Sequence, residues 1–141
     1  MVRQKNACGA LQVLTAKNVH RVQMCWTLGL LPTLTSLFED IRDGDLEDLF
    51  PDFSTRHEYI EARKRAVSAL MNLSMPQDNR LAVFHSPRLV AAVVQVINSD
   101  PDESRKGCCA VLAHLSKTKE NRLLMAVVPG LIDAVTGVIE P

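Results

Sequence analysis

The side chains able to do chemistry in this sequence are four cysteines, four histidines, a cluster of carboxylates and a set of regularly spaced cations. Cys8, Cys25, Cys108 and Cys109 form no C-x-x-C and have no histidine at finger-like spacing. They read as reduced core thiols of an intracellular protein, cytoplasmic or nuclear, and no metal or other cofactor is expected. Cys108 and Cys109 are neighbours, a geometry that does not suit a relaxed disulfide. His20, His57, His85 and His114 are dispersed, and neither a G-x-S-x-G elbow nor a glycine-rich phosphate loop occurs, so catalysis is not expected. The acids Glu39, Asp40, Asp43, Asp45, Glu47, Asp48 and Asp52 invite a calcium test. An EF-hand register from Asp43 needs Gly at its sixth place and Glu at its twelfth, and these hold Asp48 and Ser54.

What remains is recognition by charge. Among 141 residues, 16 Lys and Arg balance 16 Asp and Glu, which argues against a polybasic nucleic-acid binder. The balance conceals two unlike regions. Residues 39–58 hold eight acids and two bases, Arg42 and Arg56, and the rest of the chain holds fourteen bases and eight acids. Such asymmetry bears on partners or on self-contact. The acidic stretch also carries Leu46, Leu49, Phe50 and Phe53, the composition of a loop or of a disordered motif that folds on a partner. No apolar run reaches the roughly eighteen residues that span a bilayer, so no membrane is expected either. Aromatics make up only 4%, and with abundant Leu, Val and Ala this favours packed helices over strands.

The elements that must position these groups are repeated. Residues 63–97 align with 105–139 at an offset of 42 without a gap, and 14 of the 35 pairs are identical. A third copy begins upstream, where KNACGALQVLT at 5–15 matches 64–74 and 106–116. Its offset is 59, and the surplus seventeen residues fall in the acidic stretch, so the insertion and the charge anomaly are one object. Each copy predicts three helices: a long one with a stripe at Ala62, Ala66, Ala69, Leu70 and Leu73, a short one from Asn79 to His85, and one carrying Leu89, Val90, Val93, Val96 and Ile97 behind Pro87. Ser99 to Asp102 supplies the break and an N-cap for the next long helix.

The run Ala69-Leu70-Met71-Asn72-Leu73-Ser74, followed by Asn79-Arg80 and an apolar helix, resembles the armadillo repeat, whose units of about forty residues are built from three helices. The resemblance implies an all-α, right-handed α-solenoid of about three repeats in one domain over 1–141. Repeat 1 spans about 5–41, the acidic insertion about 42–57, repeat 2 about 58–100 and repeat 3 about 101–140, in a chain expected to belong to a longer solenoid. It also implies that the long helices line a concave groove. The groove stripe then holds Lys5, Gly9 and Val13 in the first copy, Lys64, Ser68 and Asn72 in the second, and Lys106, Ala110 and His114 in the third. Relatives that carry nuclear-import signals hold basic peptides with a Trp at the 68-like site and an Asn at the 72-like site. Only Asn72 matches that array.

Lys5, Lys64 and Lys106, with Arg3, Arg63, Arg65 and Arg105 beside them, predict a basic ladder. Its expected use is a non-catalytic protein-interaction module that holds an extended, acidic peptide or protein segment. Ser68, Asn72, Ala110 and His114 would complete the groove. Alternatives are a structural segment of a longer solenoid, a solvated basic rim of weak ion pairs, and, more remotely, an adaptor for basic peptides. Apolar solenoid ends are expected to self-associate. Arg21, Arg80 and Arg122 are read as packing or hydrogen-bonding between layers. The acidic insertion is expected against the basic groove as an internal pseudo-ligand.

Overall fold

The alternation of apolar and polar residues at helical period folds as it reads. The computed structural model describes residues 2–39 and 46–140, and those residues form helices and no strands: α1 (Val2–Thr15), α2 (Asn18–Cys25), α3 (Leu30–Glu39), α4 (Leu46–Leu49), α5 (Phe53–Ser74), α6 (Gln77–His85), α7 (Leu89–Ser99), α8 (Asp102–Ser116), α9 (Lys119–Ala126) and α10 (Leu131–Ile139). The long helices α1, α5 and α8 pack side by side, as do α3, α7 and α10, and α2, α6 and α9. The three-helix set α1–α2–α3 therefore stacks on α5–α6–α7, and that set on α8–α9–α10, and we call each set a layer. Leu70, Leu73, Val83, Val96, Ile97 and Leu115 are fully enclosed where the layers meet, and their burial removes enough apolar surface to drive the stacking.

A sharp corner recurs in the second and third layers. α6 meets α7 at 87° and α9 meets α10 at 91°. The residue before each second long turn has a left-handed backbone: Gly29 at φ 87°, Arg88 at φ 65° and Gly130 at φ 76°. Glycine adopts this region freely, whereas a side chain there costs roughly 1–2 kcal/mol. Arg88 occupies the corner nonetheless, with its guanidinium 2.9 Å from Glu39. The corner, and not Pro87, sets the start of α7.

Two local expectations change. α5 starts at Phe53, inside the stretch read as insertion, because Asp52 caps it by accepting from the Thr55 backbone N–H at 3.0 Å. The Phe50 ring lies 5.5 Å from that of Tyr59, and Arg56 donates to the Phe50 carbonyl at 3.3 Å. These contacts tie Phe50 to α5, and α4 and the first turn of α5 stand in the stretch where a loop or disordered motif is expected. Asp100, expected near the N-cap of α8, is instead the partner of a buried arginine, and Pro101 stands at the cap without a side-chain hydrogen bond.

Candidate functional site

The predicted ladder exists as a row on α1, α5 and α8, but acids already meet its first two rungs. Lys5 lies 3.6 Å from Glu58 across the α1–α5 boundary. Lys64 lies 3.1 Å from Glu61 on its own helix and 2.9 Å from Glu103 on α8. Hydrogen bonds donated to Glu103 and then to Glu61 hold the Lys64 ammonium above its ordinary range, and the bond accepted from Lys64 holds Glu103 below its own. Ser68 lines a polar cleft of about 180 Å³ with Gln12, Glu61, Lys64, Arg65 and Glu103. Lys106 is the exposed rung: among the described residues no carboxylate lies within ion-pair distance of it. Ala110 is half-buried beside it.

Asn72 and His114 face the neighbouring layer and are engaged there. Asn72 donates from its amide nitrogen to the Thr15 hydroxyl of α1 at 3.2 Å. One layer on, His114 Nδ1 meets the Ser74 hydroxyl of α5 at 2.9 Å. Burial, followed by the nearby cations Lys117, Arg80 and Arg21, lowers the His114 pKa, against a hydrogen bond at the Met71 backbone. Both side chains thus join layers instead of standing free for a ligand backbone.

A second periodic set does the same work, and its meaning is not what the sequence suggests. Asn79 donates to the carbonyl of Arg21 at 3.0 Å and to that of Leu73 at 2.9 Å. Asn121, 42 residues later, donates to Arg80 at 3.3 Å and Leu115 at 3.1 Å. The arginine side chains stay within their own layers, where they cap the long helices: Arg21 on Thr15, Arg80 on Met75 and Arg122 on Ser116. Across the boundaries it is the backbone carbonyls of Arg21 and Arg80 that accept hydrogen bonds, so the layer-to-layer hydrogen bonding expected of these arginines is made by the main chain.

No family model, curated protein or solved structure matches this chain. The internal geometry therefore carries the functional argument.

Arg63 and Arg105, read as reinforcing the ladder, turn inward. Arg63 makes a bidentate pair with Asp100 at 2.7 and 2.9 Å, both side chains nearly fully enclosed, and also donates to the Phe38 carbonyl at the end of α3. Arg105 donates to the equivalent carbonyl, Ile97, at the end of α7. Arg65 donates to the Lys5 carbonyl. The acids Asp40, Asp43 and Asp45, on which the pseudo-ligand expectation falls, lie outside the described residues; of the insertion's described acids, Asp52 caps α5 and Asp48 is exposed.

Burial raises the pKa of Cys8, Cys108 and Cys109 and brings Cys25 to about 11, so these thiols stay protonated and weakly nucleophilic. Among the described residues no group of three or more His, Cys, Asp or Glu is placed to hold a metal. An apolar recess lies elsewhere, on the outer side of the third layer. A groove of about 350 Å³ runs between α8, α9 and α10 over Leu112, Met125, Leu131, Ile132 and Val135. Sequence reading missed it, although the apolar stripe of α10 was visible.

Proposed function

We propose that this chain is a non-catalytic protein-interaction module, an armadillo-like right-handed α-solenoid of about three repeats whose α1–α5–α8 row holds an extended acidic segment. The observation that carries this reading is Lys64. It takes carboxylates from two helices at 3.1 and 2.9 Å, so the row is shaped to receive acids, and exposed Lys106 offers the same group one layer on. Rigid layers beneath the row limit the ordering cost of binding. The ladder is short and its ion pairs are exposed, so affinity is salt-dependent and supplied by several rungs together.

A fluorescein-labelled decamer of glutamate tests this by anisotropy at low and at physiological salt. Lys106→Glu is expected to weaken binding and Lys64→Glu with Lys106→Glu to weaken it further, while an oligo-lysine decamer does not bind. Equal affinity of wild type and the double variant removes the acidic-segment reading.

A second reading is a structural segment of a longer scaffold. It is favoured by Asn72, His114, Lys5 and Lys64, which all already contact a neighbouring layer.

A further inference from the structure

The two internal layer boundaries are built alike. At the first, Asn79 donates to the Arg21 carbonyl, Asn72 to the Thr15 hydroxyl, and Glu58 meets Lys5. At the second, Asn121 donates to the Arg80 carbonyl, His114 meets the Ser74 hydroxyl, and Glu103 meets Lys64. Each boundary thus joins one carbonyl, one hydroxyl and one ammonium to a side-chain amide, an amide or imidazole, and a carboxylate.

The outer face of the third layer repeats the receiving half. Arg122 stands where Arg21 and Arg80 stand, Ser116 where Thr15 and Ser74 stand, and Lys106 where Lys5 and Lys64 stand. The poses agree too: Ser116 donates to the Ala113 carbonyl at 2.8 Å, as Ser74 does to Met71, and Arg122 caps α8 as Arg21 caps α1. Among the described residues nothing supplies the giving half. Apolar positions change in step. Val90, Val96 and Ile97 are buried, whereas their counterparts Ile132, Val138 and Ile139 are 56%, 37% and 76% exposed.

We infer that the α8–α10 face is a docking surface for one kind of occupant: a further three-helix layer of the α8–α10 type. This rests on the layered reading above. Such a layer brings an asparagine on its short helix to the Arg122 carbonyl and an amide or imidazole on its long helix to the Ser116 hydroxyl. It brings a carboxylate to Lys106 and lays an apolar helix over Ile132 and Ile139. The first layer of a second copy does not meet these requirements. It has His20 in the asparagine position, Val13 in the position of Asn72 and His114, and Val2 in the position of Glu103, the carboxylate that meets Lys64 across the second boundary.

The test replaces Glu140 and Pro141 with a copy of residues 98–139, so that the copy follows Ile139 directly and preserves the 42-residue offset. Hydrogen exchange of α8–α10 amides is expected to slow at least tenfold, and the melting temperature to rise by roughly 5 °C. Ile132→Glu, at an exposed position, leaves the unextended chain unchanged but abolishes both gains. Changing the appended copy's counterpart of Asn121 to Ala reduces them. Unchanged exchange in the extended chain overturns the inference, as does a gain that survives Ile132→Glu. Sedimentation that shows the unextended chain dimerising through Ile132 overturns it as well, by giving the face to a second copy. Oligo-glutamate binding is read separately on Ile132→Glu, so failure of the acidic-segment reading is distinguishable from failure here.

Discussion

α7 and α10 occupy equivalent places in successive layers, with Leu89, Ala92, Val93, Val96 and Ile97 identical to their counterparts 42 residues on. α7 is enclosed between α3, α8 and α10, and Leu89, Val93, Val96 and Ile97 are all buried to within 1%. α10 has a neighbour on one side, and only Leu131 and Ala134 are buried along it. The same pattern thus gives a core helix in one place and a half-open surface in the other. Burial here is a property of stacking, and an apolar stripe records that a face is to be covered, not that it is covered within these residues.

The strongest way to break that comparison is at the buried pair of Arg63 and Asp100. Asp100→Ala is expected to cost roughly 3 kcal/mol in urea unfolding, because it removes an enclosed, bidentate carboxylate from the Arg63 guanidinium. Arg105→Ala, at the half-exposed equivalent of Arg63, should cost about 1 kcal/mol. Next comes the matched apolar pair. Ile97→Ala should cost about 3 kcal/mol and Ile139→Ala less than about 0.5, since only the first opens a cavity. Equal costs would mean that the α10 stripe is covered in solution.

The corners offer a smaller effect of opposite sign. Arg88→Gly should stabilise by about 1 kcal/mol through relief of the left-handed backbone, less the exposed contact with Glu39. The equivalent gain is already present at Gly29 and Gly130. Smallest is a pH term at the second boundary. The His114 pKa is lowered in the fold, so the unfolded chain takes up that proton first. Its contribution is complete above about pH 6.5 and declines as pH falls from there through the folded value. Urea midpoints between about pH 8 and pH 5 should show a slope that His114→Gln reduces.

Helix positions were legible because each amphipathic stripe is local. The period in the stripes at Leu70 and Leu73, and at Val93 and Ile97, does not depend on what covers them. The start of α5 was not legible, because one cap at Asp52 and one ring contact between Phe50 and Tyr59 outweigh an acidic composition. The groove assignment was legible only for its positions. Recurrence at 42 marked Lys64, Asn72 and His114 as structurally equivalent sites, but equivalence does not state which neighbour a side chain meets. That depends on how far the layers are rotated and how closely they approach. At Gly107 the approach is so close that a Cβ would strike the Val67 side chain. The column Thr15, Ser74 and Ser116 was visible in the alignment and is the signal that could have paired Asn72 and His114 with hydroxyls.

The boundary asparagines carry a chemical liability as well as a clamp. In Asn79 and Asn121 both bonds come from the amide nitrogen, and the buried amide oxygen has no hydrogen-bond partner. Deamidation at either place would replace a donor to two carbonyls with a carboxylate that repels both. A chain deamidated at either place would therefore lose one joint between layers, and intact-mass analysis of the fraction that loses cooperative unfolding would find it one mass unit heavier.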